Sequence, residues 1–369
     1  MKPKYLFIDD ETGGPTTALL DGFKDTGLLS VIPLSIDKND TFESICGKIV
    51  EQFAQQDING ILIDLCLDGA GENSMYFKAP PLAQQIRSKA SEGVIKQCPI
   101  VLCSTVENMD TYYTRDKASH DLFDYYFNKT DSSFMRIATR LASMAKGYLQ
   151  LMGEWTVESI LNRPKAELLD LRIVNYLEEE TLSPFDVSQF IVKSFFSNSG
   201  ILINEDVLAA RMGVNREASG VAWLQLKNAI EKEAQYNGIF ADGWKRYWAD
   251  KVGAYYSRLS GGIPCQASNA HERIEVLTRM GFDGITAAEP IKFNKSTYFN
   301  TTCEYYKLPI DSMEGIPIED SALLKPWQEH HYVSFYALAK GDFPEVKIGI
   351  EGKKKYAEMK KRIEYEQQA

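Results

Sequence analysis

The chain has 369 residues, 44% of them hydrophobic and 25% charged, and carries a formal net charge of −10 at pH 7. That length predicts two or three domains with real cores, and the acidic balance argues against clamping the phosphate backbone of nucleic acid. The six cysteines, at positions 46, 66, 98, 103, 265 and 303, lack paired metal-ligand spacing and read as reduced thiols. No signal peptide and no stretch of about 18 apolar residues is visible, which predicts a soluble cytoplasmic protein without a membrane span.

The apolar run Tyr5-Leu-Phe-Ile8 breaks into Asp9-Asp10-Glu11, as a buried strand breaks at its tip. A helix carrying Leu19, Leu20 and Phe23 follows, then a strand over 29–36. Residues 41–56 form the clearest helix, with Phe42, Ile45, Ile49 and Phe53 on one stripe. The run Gly60-Ile61-Leu62-Ile63 ends in Asp64 and leads through Leu-Cys-Leu into a long loop over 68–81. A helix over 81–92 begins with proline, which a first turn tolerates. Ile100-Val-Leu-Cys103, within a strand over 99–103, breaks into Ser104-Thr105. A helix over 107–120 then leads to a strand over 124–128 that delivers Lys129. Asp131-Ser132 caps a last helix with Phe134, Ile137, Leu141 and Tyr148 at helical spacing. Strand then helix, five times over, predicts an α/β fold: a doubly wound, five-stranded parallel sheet over residues 1–150. In such a sheet the strand tips line the ligand crevice, so these runs would gather carboxylates, a hydroxyl and an ammonium in one place.

The alternation stops near Gly153, and residues 154–369 read as a mainly helical second domain, subdivided near 260. Helices are predicted over 166–180, 184–196, 205–212 and 216–233, the last with Ala222, Leu226 and Ala229 on a buried face. Aromatics concentrate over 239–248 and read as core. Residues 261–344 alternate turn residues with short apolar runs, and 353–366 forms an amphipathic helix with balanced charges. Residues 204–233 imitate a helix-turn-helix, but Glu217, Glu231 and Glu233 offset Lys227 and Lys232, so no DNA-binding residues are assigned. His330 and His331, adjacent on an extended stretch, point to opposite faces and do not make a metal site.

The ordered set Asp9-Asp10, Asp64, Ser104 and Lys129 at strand ends resembles the CheY-like receiver domain of two-component response regulators, over residues 1–150. The resemblance implies Asp64 as phosphoacceptor, with Ser104 and Lys129 contacting the phosphoryl group. It implies Mg²⁺ held by Asp9, Asp10, Asp64 and the Cys66 carbonyl, and a switch made of Ser104 and Tyr126. It implies a bacterial phosphorelay partner, either a histidine kinase or a phosphotransfer protein, and output by protein contact through 154–369. Homodimerisation and a phage-defence setting stay open. Two features depart from the family: Thr130 follows Lys129 where proline is usual, and the 68–81 loop is long. Two alternatives stand beside this reading: a phosphorylation-independent pseudo-receiver used for docking, and a transcriptional regulator acting through 204–233.

Overall fold

The computed structural model describes residues 2–11, 13–37, 39–67, 77–109, 121–168 and 170–368. The chain forms two compact units, residues 1–192 with 237–244, and residues 193–236 with 245–369.

The first unit is built on five parallel strands: β1 (Lys4–Ile8), β2 (Ser30–Pro33), β3 (Gly60–Asp64), β4 (Ile100–Ser104) and β5 (Tyr125–Asn128). Their order is β2-β1-β3-β4-β5, so the winding reverses between β1 and β3. The intervening helices are α1 (Pro15–Thr26), α2 (Phe42–Gln55), α3 (Ala79–Ser91), the single turn α4 (Val106–Asn108) and α5 (Phe134–Leu151). Period-2 alternation divides each strand between two faces. Leu6, Ile8, Ile61, Ile63, Ile100 and Leu102 pack against Ile45 and Ile49 of α2 and Leu82, Ala83 and Ile86 of α3. Each fully buried Ile or Leu there contributes roughly 1.5–3 kcal/mol. On the other face α1 packs on α5. Tyr5 donates its hydroxyl to the Leu141 carbonyl at 2.7 Å, and Phe23 meets Phe127 and Phe134 edge-on at 6.0 and 5.9 Å.

Local chemistry sets the boundaries. Thr41 and Ser44 exchange the two bonds of a capping box at the start of α2, and Gly27, at φ 67°, ends α1. The strand expected over 29–36 is confined to Ser30–Pro33. Of the helix expected over 107–120, the turn α4 is described, while residues 110–120 lie outside the described residues, as do 68–76 of the long loop.

Beyond α5 the first unit continues through α6 (Val157–Leu161), α7 (Leu171–Leu177) and α8 (Pro184–Ile191). The helix expected over 166–180 is shorter, because Asp170 turns its carboxylate onto the Arg172 amide and caps α7 there. Residues 237–244 return to the same unit: the Ile239 amide donates to the Ile160 carbonyl at 2.6 Å, and the Phe240 ring lies over Gly147 of α5. A Cβ at Gly147 would sit 2.2 Å from that ring, so glycine is what lets the segment close on the helix.

In the second unit are α9 (Glu205–Met212), α10 (Arg216–Ala234), α11 (Ala249–Leu259), α12 (Ala270–Arg279), α13 (Phe335–Lys340) and α14 (Ile350–Gln368). Three two-residue ribbons accompany them. They pair β6 (Leu202–Ile203) with β7 (Tyr247–Trp248), β8 (Thr301–Thr302) with β9 (Pro309–Ile310), and β10 (Ile316–Pro317) with β11 (Tyr332–Val333). Among the described residues no helix is long and apolar enough to cross a membrane, and the six cysteines are free.

Candidate functional site

The sheet register carries the polar strand ends to one edge. Ile8 pairs with Ile63, Asp64 with Cys103, and Ser104 with Asn128, so Asp9, Asp64, Ser104 and Lys129 follow one another across four neighbouring strands. The Lys129 amide donates to the Ser104 carbonyl at 2.7 Å, extending the ladder by one residue. The strands turn polar here because the apolar layers beneath them end.

Lys129 is 4% exposed and lies among carboxylates: its Nζ is 2.6 Å from Asp9 Oδ2, 3.5 Å from Asp64 Oδ1 and 3.8 Å from Glu11 Oε2. Asp64 is itself 6% exposed, and its Oδ2 accepts the Cys66 amide at 2.9 Å. Burial pushes the Asp64 carboxyl up to about 7; Lys129 opposes the shift, and the neighbouring Asp9 reinforces it. Burial also disfavours the charged ammonium, yet Asp64 and Asp9 hold the Lys129 pKa well above the ordinary lysine value. Ser104 is fully buried, and its Oγ has no hydrogen-bond partner among the described residues. A buried hydroxyl without a partner carries an uncompensated desolvation penalty that an incoming acceptor would relieve.

The residues singled out from sequence are therefore distributed unevenly. Asp9, Asp64 and Lys129 are brought into contact, with Ser104 at the neighbouring strand tip. Asp10 is buried beside Asp9. Cys66 follows Asp64 by two residues and is bridged antiparallel to Lys78. Tyr126 is 56% exposed and stacks beside Tyr125, 6.5 Å between centroids. The Lys129–Thr130 peptide is trans, and Asn128 Oδ1 accepts both the amide and the hydroxyl of Thr130 at 3.0 Å. With that loop trans, Lys129 still reaches both carboxylates.

Two partners escaped the sequence reading. Thr16, in the first turn of α1, donates its hydroxyl to Asp9 Oδ2 at 2.6 Å, and Glu11 extends the acidic rim. A threonine after Pro15 reads as an ordinary helix start, so nothing in the sequence pairs it with Asp9.

All-oxygen donors of this kind suit a hard divalent cation such as Mg²⁺. Among the described residues no three Asp, Glu, His or Cys side chains already stand at metal-binding separation. Asp9 Oδ2 is instead shared between Lys129 and Thr16, so a cation would compete with those partners.

At the opposite end of the sheet Asp124 anchors a second buried network. Its Oδ2 accepts Arg87 at 2.6 Å and the Ile100 amide at 2.8 Å, and its Oδ1 accepts the Tyr148 hydroxyl at 2.5 Å. This carboxylate is satisfied on both oxygens and holds β4, β5, α3 and α5 together.

Elsewhere, α9 and α10 meet through a turn at Gly213, but two of the three cations of the second helix are consumed internally. Arg216 pairs with Asp206 at 2.5 Å, and Lys227 with Glu205 at 3.2 Å, leaving little attraction for phosphate. α10 is also broken at Gly220, φ 45° and ψ −113°, so it is not one straight reading helix.

No family model and no curated protein sequence matches the chain. Among solved structures, a match is found to a chain of the co-crystal structure of the Saccharomyces cerevisiae histidine phosphotransfer signaling protein Ypd1 and the receiver domain of its downstream response regulator Ssk1. It is 16% identical, covers 39% of this chain and 90% of that one, and has a TM-score of 0.27.

Proposed function

We propose that residues 1–150 act as a receiver-like phosphoacceptor domain in which Asp64 takes a phosphoryl group from a phosphohistidine on a partner histidine kinase or phosphotransfer protein. The observation that carries this reading is the contact of Lys129 Nζ with Asp64 Oδ1, 3.5 Å apart across the tips of β3 and β5, with the Ser104 hydroxyl, which has no partner among the described residues, on the strand tip between them. In the reaction an Asp64 carboxylate oxygen attacks phosphorus in line, the P–N bond breaks, and the departing imidazole nitrogen takes up a proton. Asp64 is left as an acyl phosphate. Lys129 pairs with one phosphoryl oxygen, and Ser104 donates to another.

Mg²⁺, bound through Asp9, Asp10, Asp64 and the Cys66 carbonyl, would supply further positive charge to the phosphoryl oxygens. For Asp9 to serve, Lys129 must loosen from it and turn toward Asp64 and its phosphoryl group. The remainder of the chain, with its acidic balance and with Arg216 and Lys227 of α10 paired internally, is suited to signalling by protein contact rather than through DNA.

Incubation with a small phosphodonor such as acetyl phosphate and Mg²⁺ should label the wild type, while Asp64→Asn should stay unlabelled. Equal labelling of both proteins would refute the assignment. One observation favours a second reading, a docking module that is never phosphorylated: the 2.6 Å bond from Lys129 to Asp9 already neutralises a carboxylate the cation needs. Under that reading Mg²⁺ titration leaves intrinsic fluorescence unchanged and no donor labels the chain.

A further inference from the structure

A histidine in the second unit is held between two acceptors that its charged form serves together. The Nδ1 of His331 contacts Glu319 Oε1, and its Nε2 lies 3.0 Å from the Ser197 carbonyl oxygen. Both partners are acceptors. A neutral imidazole has one N–H and can serve one of them, whereas the imidazolium serves both.

From residues 197–199 come the Ser197 carbonyl and the Asn198 amide, whose Nδ2, a donor, is 3.3 Å from the same Nδ1 and 3.2 Å from the Glu329 carbonyl; the Glu319 carboxylate stands closer to Nδ1 and keeps the proton there, so it is the Nε2 proton that deprotonation removes. Following β8, Glu304 is paired with Lys307 at 2.6 Å; beside β11, the Glu329 carboxylate is held by Arg211 at 2.6 and 2.9 Å. His330 is engaged with Ser321 at 3.2 Å, Arg246 with the Phe196 carbonyl at 2.8 Å, and Asp206 with Arg216. Glu319 is thus the carboxylate set directly on the His331 ring, and it also accepts the His331 amide at 2.9 Å. Burial works against the charged ring, yet Glu319 and then Glu304 raise its pKa above the ordinary histidine value.

We propose that His331 is a pH-sensitive pin that fastens residues 197–201 to residues 327–331. The two stretches also meet through the Glu329 amide on the Ser199 carbonyl at 2.7 Å, the Ile201 amide on the Trp327 carbonyl at 3.3 Å, and a bridge between Gly200 and Gln328. A side chain at Gly200 would collide with the Trp327 carbonyl, so glycine permits the approach. The pinned stretch walls a polar cavity of about 170 Å³ bordered by Ser197, Asn198, Ser199, Thr302, His330 and His331. The pin is fully in place below the ordinary histidine pKa and is lost as pH rises through the elevated folded value. One of the two ring bonds then disappears, the stretch loosens, and the cavity opens.

Hydrogen exchange of the full chain, corrected for the intrinsic rate, tests this on peptides covering 197–201 and 327–333. Wild type should lose about tenfold in protection between about pH 6 and pH 8.5, the scale of one charge-assisted bond. His331→Gln should be weakly protected at both. Wild-type protection that is independent of pH, or the same pH trend in His331→Gln, overturns the proposal. Should that variant fail to fold, NMR titration of the wild-type ring decides: a midpoint above about 6.5 upholds the pin, and one at or below it overturns it.

Discussion

Asp64→Asn separates the electrostatic account of the strand-tip site from any question of partner. With the carboxyl at about 7 in the folded chain and near its ordinary value of about 4 when unfolded, the native state binds more protons between those values. Stability therefore falls as pH rises through that window, and above it the full penalty is present. Three units at about 1.36 kcal/mol each set a ceiling of about 4 kcal/mol. The substitution also forfeits the 3.5 Å contact with Lys129, which keeps its bond to Asp9, while an amide oxygen can still accept the Cys66 amide. About half the ceiling, roughly 2 kcal/mol, is the expected gain at pH 8, with almost none at pH 4. For a unit of this size that is a rise of about 4–8 °C in melting temperature. Calorimetry in chelator, following the transition of the first unit at both pH values, provides the reading. Destabilisation at pH 8, or a gain of equal size at pH 4, would refute the reasoning.

Lys129→Ala should have the opposite effect, leaving Asp9 and Asp64 buried without their cation. A loss of about 3 kcal/mol is expected at pH 8 by urea titration, shrinking toward pH 4 as Asp64 takes up a proton. Tyr148→Phe removes a donor from Asp124 and should cost about 1–3 kcal/mol in the same assay, with no effect on labelling at Asp64. Gly147→Ala drives a methyl into the Phe240 ring, and a melting temperature lowered by the equivalent of about 1–3 kcal/mol is the expected result.

The strand-tip residues could be read in sequence because each is a local event, an apolar run that stops at Asp9, Asp64, Ser104 or Lys129. The α2 stripe through Ile45 and Ile49 was equally local. What pairs distant residues left no such trace. Asp124 reads as the start of a strand, and its link to Arg87 and Tyr148 exists only once α3, β5 and α5 are assembled. Thr16 is hidden for the same reason. Residues 239–248 read as an aromatic cluster with no hint that Phe240 and Trp244 close on α5 of the first unit. Ribbons of two residues, such as Thr301–Thr302 with Pro309–Ile310, are too short for any alternation to register. The break in α10 depends on Gly220 adopting a positive φ that its sequence permits but does not require.

Borohydride trapping after treatment with a phosphodonor and Mg²⁺ bears most directly on the central claim, because it converts an aspartyl phosphate to homoserine at the residue that carried it. Peptide mapping should find homoserine at position 64 and at neither Asp9 nor Asp10. Its absence there, or its appearance at another carboxylate, would contradict Asp64 as the acceptor.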